Sequence, residues 1–158
     1  MTATTEIAAT FLFELIAELE PRIDMGAGPL GRRMFDRVGR GEFTGPWLRG
    51  EVLPGSGDPL LRRTDGVAVI DARTLLRTDD GAHILMTYVG RAVVPAEVLA
   101  QLNDPHTRHQ VDPSTHSIWA APFFETGDPR YAWLNAVVAI ASARLTADGV
   151  CWRVSQIS

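Results

Sequence analysis

Between Thr64 and Val94, two apolar, β-branched segments flank Asp79-Asp80-Gly81, and no other stretch constrains the fold as strongly. Asp-Gly between such segments favours a two-residue hairpin loop of type I′, whose twist matches the strands it joins. A turn closing Asp79 against Ala82 sets Leu75 opposite Met86, Arg73 opposite Tyr88 and Asp71 opposite Gly90. The middle of the chain is therefore expected to be antiparallel sheet.

The flanking sequence follows the same rule. From Phe11 to Leu19 apolar residues recur with period two and acids collect on the other face, which predicts a strand with one wet side. Gly26, Gly28, Pro29, Gly31, Gly39 and Gly41 break any helix between Pro21 and Gly41 and leave short extended pieces. Trp47 to Leu53 reads as a further strand, ended by the turn cluster Pro54-Gly55-Ser56-Gly57-Asp58-Pro59. Pro95 to Asn103 is the one helical window, with Val98, Leu99 and Leu102 at helical spacing behind a first-turn proline. A polar loop follows from His106 to Thr115, then an extended His116 to Phe124. Gly127-Asp128-Pro129 and Arg130 to Asn135 form a tight turn or a single helical turn. Asn135 to Leu145 and Val150 to Ile157 make a last hairpin around Asp148-Gly149, again with a type I′ signal.

About eight or nine short strands with one short helix define an all-β chain. Closure into a small antiparallel barrel of the calycin or lipocalin kind leaves no long exposed edge and can keep a ligand-sized interior. A chain of 158 residues, 46% of them hydrophobic, is expected to bury one core, so residues 1–158 read as one barrel domain with 1–10 a flexible N-terminal lead.

Composition removes whole classes of chemistry. All 15 basic residues are Arg, and without Lys there is no Schiff base, no pyridoxal phosphate anchor and no P-loop lysine. A net charge of -4 with arginines scattered among acids lacks the basic face of a nucleic-acid binder. The lone Cys151 permits no internal disulfide, fits a reducing compartment, and is read as packing beside Trp152 rather than as a nucleophile. No basic residue precedes Arg22, and the apolar run Ala136 to Ala141 falls far short of the ~20 residues a membrane helix needs, so a cytoplasmic protein without membrane contact is expected.

Gly26-Ala27-Gly28-Pro29-Leu30-Gly31 matches the dinucleotide fingerprint in letters only, because Pro29 and the glycines after it deny the helix that would receive a pyrophosphate. His106, His109 and His116 lack diagnostic ligand spacing, and no Gly-x-Ser-x-Gly elbow exists. No cofactor and no metal are expected.

Alternation places Asp71 and Arg73 on one face with Val67, Val69 and Leu75, opposite Tyr88. If that face lines the interior, Asp71 is a desolvated general base, Arg73 stabilises a developing enolate or alkoxide, and Tyr88 donates a proton. The other reading is a structural Asp–Arg brace between strands, with Arg49 as a second partner for Asp71. Trp47, Arg49 and Glu51 share another face, and Trp119 shares one with Phe123 and Glu125. With Phe124 and Trp133, these aromatics either wall a ligand cavity or fill the core. Asn135 either orients a substrate carbonyl or caps its own turn.

Gly45-Pro46-Trp47-Leu48-Arg49-Gly50 with Val52-Leu53-Pro54-Gly55, Asp65-Gly66 through Asp71-Ala72-Arg73, Thr78-Asp79-Asp80-Gly81, Phe124-Glu125-Thr126-Gly127 and Tyr131-Ala132-Trp133-Leu134-Asn135 follow one another in a distinctive order. In these segments the chain resembles the bacterial and fungal family known as domain of unknown function 3237, over nearly all of its length from Phe11 onward. The resemblance implies a compact β-barrel that often associates with itself, as a homodimer or larger homo-oligomer, and it carries over no catalytic residues. Asp36 to Arg40 is more charged, and Asp104 to His116 richer in His, than the family pattern. The function expected is a cofactor-independent isomerase, cyclase or lyase acting by acid–base chemistry on a hydrophobic, carbonyl-bearing metabolite inside the barrel. A non-catalytic carrier with the same barrel is the alternative, and a barrel filled solid would leave only association.

Overall fold

The structure is a computed structural model and describes residues 6–158. Its strands are β1 (Ala9–Leu19), β2 (Ile23–Gly28), β3 (Gly31–Thr44), β4 (Arg49–Asp58), β5 (Leu61–Arg62), β6 (Ala68–Thr78), β7 (His83–Val93), β8 (Ser117–Glu125), β9 (Ala139–Leu145) and β10 (Gly149–Ile157), with one α-helix, α1 (Ala96–Asn103), between β7 and β8. They form a single sheet in the order β1-β10-β9-β8-β7-β6-β4-β3-β2, and a further β1–β3 pairing closes it. The result is a closed eight-strand antiparallel barrel with two extra strands. β5 keeps the register of β4 against β3, with Asp36 opposite Asp58 and Arg33 opposite Leu61, so it is the far end of β4 resumed beyond Pro59. Proline cannot donate to the ladder, which accounts for the interruption.

Alternation decides the inside. On β6, Ala68, Ile70, Ala72, Thr74, Leu76 and Thr78 are buried while the intervening residues reach outward. On β7, Ile84, Met86 and Tyr88 do the same. One end of the barrel is filled solid: Phe13 meets Phe43 and Phe124 edge to face, at centroid distances of 5.7 and 5.9 Å. At the other end small residues enter the facing pairs, Ala68 opposite Ala92 and Gly90 opposite Ile70, and the interior stays open.

The central hairpin forms, but one residue away from the expected register. Arg73 faces Thr87, Asp71 faces Val89, and Tyr88 faces Ala72. The loop has three residues, not two: Gly81 N–H donates to the Thr78 carbonyl and Thr78 N–H to the Ala82 carbonyl. Gly81 takes φ +93° while neither Asp79 nor Asp80 has positive φ, which excludes type I′ and fits a turn followed by a glycine bulge. A one-residue slip exchanges the faces of a strand. Asp71 and Arg73 are thereby outside and Tyr88 inside. The final hairpin corrects the same expectation, since Thr146 N–H donates to the Gly149 carbonyl around Ala147-Asp148 and neither Asp148 nor Gly149 has positive φ.

Two further differences concern boundaries. β1 begins at Ala9 and pairs with Ile157, so Ala9 and Thr10 belong to the sheet and not to a lead, and residues 1–5 of that lead lie outside the described residues. The Pro54–Pro59 cluster does not end a strand: β4 runs through it to Asp58 as a bulge. The Gly26–Gly31 stretch is the β2–β3 hairpin, with Gly28 opposite Gly31. Among the described residues no helix is long and apolar enough to cross a membrane.

Candidate functional site

The bulge in β4 creates the site. Gly55 takes φ +105°, a conformation open to glycine, and the β4–β6 register shifts between Leu53 and Gly57. Past the bulge Ser56 and Asp58 are buried, and their side chains replace backbone acceptors of the ladder. Leu75 N–H donates to Ser56 Oγ at 3.0 Å, and Asp71 N–H donates to Asp58 Oδ1 at 2.9 Å. Asp58 Oδ2 carries no hydrogen bond among the described residues, and Asp58 lines the open interior.

Asp36 on β3 is the register partner of Asp58. The Arg22 guanidinium grips it from two sides, Nε to Oδ1 at 2.5 Å and Nη2 to Oδ2 at 2.8 Å. Arg22 Nη1 also donates to Asn103 Oδ1 at 3.3 Å, which ties the end of α1 to the barrel mouth. Facing the carboxylates, Tyr88 is buried, its hydroxyl 3.3 Å from Thr74 Oγ1 and its ring edge to face with Trp152 at 5.3 Å. Ile70, Ile118 and Val150 complete an apolar wall around a cavity of about 100 Å³.

Burial pushes the Asp58 carboxyl up to about 6; the Asp71 amide opposes this, the negative charges of Asp36 and Asp71 add to it, and Arg22 pulls it back. Burial likewise pushes the Tyr88 hydroxyl up to about 12, against the Thr74 hydrogen bond. Near neutral pH the cavity thus holds a desolvated carboxylate able to take a proton and a neutral phenol able to give one. Such a pair, with environments that hold acid and base apart, can perform general acid–base chemistry.

Of the catalytic set expected from spacing, only Tyr88 faces this cavity. Asp71 and Arg73 pair at 3.2 Å on the outer surface, with side chains 47% and 59% exposed, and Asp71 serves the site through its backbone amide alone. Arg49 is at the surface beside Asp79, and Glu51 pairs with Arg77 outside the barrel. Trp47, Trp119 and Trp133 are exposed, as is Glu125, so none walls the interior. Phe124 is buried, but in the solid end. Asn135 caps its turn: its Oδ1 accepts from Thr126 N–H at 2.9 Å and its Nδ2 donates to the Thr126 carbonyl at 3.0 Å. Cys151 is buried, and desolvation raises its thiol, which disfavours a thiolate. Among the described residues no group of three or more His, Cys, Asp or Glu side chains is placed to hold a metal.

Asp58, Asp36, Arg22 and Trp152 were not legible as a site. Asp58 sits inside Pro-Gly-Ser-Gly-Asp-Pro, whose letters spell a turn. The signal available for Asp36 was the unusual charge of the Asp36–Arg40 segment.

Fold and site together define a closed β-barrel whose open end holds an inward-facing carboxyl and phenol. The chain belongs to the family described as Protein of unknown function (DUF3237), whose model matches residues 7–157. The UPF0311 protein RPA1785 of Rhodopseudomonas palustris is 31% identical over 157 residues, covering 99% of each chain. The crystal structure of the RPA1785 protein superposes with a TM-score of 0.89 at 29% identity, covering 98% of this chain and all of that one. A beta-barrel like protein of Acinetobacter baumannii gives 0.83 at 31% identity over the full length of both chains. An enzyme from Penicillium herquei shares the fold, with a TM-score of 0.74 at 23% identity, covering 100% of this chain and 99% of that one.

Proposed function

We propose that this protein is a cofactor-independent acid–base enzyme for a hydrophobic, carbonyl-bearing metabolite, catalysing an isomerisation, cyclisation or elimination/addition. The observation that carries the reading is the desolvated Asp58 carboxyl, raised to about 6 and sharing one apolar cavity with the neutral Tyr88 phenol. Asp58 Oδ2 accepts a proton from a carbon next to the carbonyl, or from an acidic hydroxyl. Tyr88 donates to the oxygen or carbon that gains electron density. The Arg22–Asp36 pair forms the polar rim and Trp152 the flat wall. The fold shared with the Penicillium herquei enzyme is compatible with catalysis in such a barrel. The single unpaired Cys151 and the absence of Lys are compatible with a cytoplasmic setting and with chemistry that needs no imine.

The test uses hydrophobic ketones, phenylacetone and 2-tetralone, incubated with protein in D₂O near neutrality while NMR follows deuterium entering next to the carbonyl. Asp58→Asn is expected to slow exchange about 10²–10⁴-fold, whereas Asp71→Asn leaves it unchanged. Ketone binding with no protein-dependent exchange would favour the carrier.

A further inference from the structure

We propose that the molecule taken by this site carries a carboxylate, which docks on Arg108 in a vestibule outside the inner cavity. The inference rests on the acid–base reading of the Asp58 cavity and names the substrate class more closely.

Size comes first. The inner cavity of about 100 Å³ is smaller than the ~150 Å³ space that holds one benzene, so only a reactive head fits beside Asp58 and Tyr88. A second space lies next to it: Leu19, Arg22, Asp36, Leu102, Asn103 and Leu145 line both the cavity and an adjoining hollow of about 460 Å³. In the proposed pose a larger molecule passes Arg22 into that hollow, and its outer end meets Arg108, which lines it.

Arg108 differs from Arg22 and Arg37 in having no ion-pair partner among the described residues, a property it shares with Arg62 of the inner cavity, which donates to the Gly66 carbonyl at 3.2 Å. Arg108 begins a short 3-10 turn, Arg108–Gln110, and its one side-chain hydrogen bond among the described residues runs from Nη2 to the Ala147 carbonyl at 3.3 Å. Its Nε is the only buried side-chain nitrogen or oxygen without a partner among the described residues. No carboxylate forms an ion pair with it there. Acids lie near it, but most are committed: of those lining the hollow, Asp36 pairs with Arg22 and Glu20 with Arg37 at 2.9 Å, and the neighbouring Asp104 Oδ1 accepts from the His106 amide at 2.9 Å. Asp148 lines the same hollow without reaching it. Desolvation first, and then the positive charge of Arg22, lower the Arg108 pKa, against the opposing charges of Asp36, Asp148 and Asp104. A half-buried cation with idle donors beside another cation gains from an incoming carboxylate, which accepts charge-assisted hydrogen bonds. The substrate class is therefore a hydrophobic oxo- or hydroxy-carboxylic acid, carbonyl end inward and carboxylate end at the mouth.

The experiment compares 3-phenylpropanoate with its methyl ester by calorimetric titration of the full chain. The acid is expected to bind about 10-fold or more tightly, a preference that shrinks in 0.5 M salt and disappears in Arg108→Gln. Equal affinity for acid and ester, binding of neither, or a preference that survives in folded Arg108→Gln overturns the proposal. The ester and salt comparisons need only the wild-type chain, so they decide even if Arg108→Gln does not fold. Asp58→Asn is expected to keep the preference while losing deuterium exchange. Preference without exchange in the wild type defeats the acid–base reading alone, and exchange without preference defeats the carboxylate alone.

Discussion

Replacing Asp58 by Asn is expected to stabilise the protein at neutral pH, the reverse of the usual effect of altering a buried residue. The carboxyl rises from its ordinary 3.8 to about 6 on folding, which corresponds to ~3 kcal/mol of folding free energy lost when it ionises inside the barrel. Because the folded pKa lies above the unfolded one, the folded chain binds more protons between pH 4 and 6. The favourable contribution is present below pH 4 and lost as pH rises through 6. Asn is uncharged at every pH and still presents an oxygen to the Asp71 amide, the bond that Asp58 Oδ1 now makes at 2.9 Å. The Asp58→Asn advantage should therefore be ~0.5 kcal/mol near pH 4 and approach ~3 kcal/mol at pH 7.5. Urea unfolding of both proteins at the two pH values measures it, and the other carboxylates cancel in the difference. An advantage that does not change with pH, or a variant less stable than wild type at pH 7.5, refutes the reasoning.

Other substitutions separate the cavity from the surface. Tyr88→Phe removes only the hydroxyl bonded to Thr74, so melting should change by about 1 kcal/mol or less while deuterium exchange falls at least tenfold. Asp71→Asn breaks an exposed pair with Arg73, and chemical denaturation should register no more than ~1 kcal/mol. Gly81→Ala forces a side chain into φ +93° and should cost ~1–2 kcal/mol by the same assay; an unchanged midpoint would contradict the bulged loop.

The strand pattern was readable because period-two alternation and Gly-Pro punctuation follow from local sterics, and they led correctly to an antiparallel barrel with a helix at α1, while Pro129–Ala136 adds a 3-10 helix longer than the single turn expected there. Register was not. Asp79-Asp80-Gly81 accommodates both a two-residue and a three-residue loop, and the choice depends on packing of the even-numbered residues of β6 and β7 into one core, which only the closed sheet enforces. That single slip moved Asp71 and Arg73 from the expected interior to the surface while leaving Tyr88 in place. Asp58 was hidden for a related reason. A bulge built from Pro54 and Gly55 has the same letters as a turn, and the inward aim of the residue after it arises from the pairing of β4 with both β3 and β6. The aromatics Trp47, Trp119 and Trp133 misled because large apolar residues are expected inside, whereas this barrel fills one end with Phe13, Phe43 and Phe124 and opens the other with alanines.

The most direct test is the titration of the Asp58 carboxyl carbon by NMR in ¹³C-labelled protein, assigned by its disappearance in Asp58→Asn. A midpoint near 6, shifted by ligand in the cavity, is the expected result. A midpoint in the ordinary aspartate range, near 4, would mean that the carboxyl is solvated and would contradict a desolvated base inside the barrel.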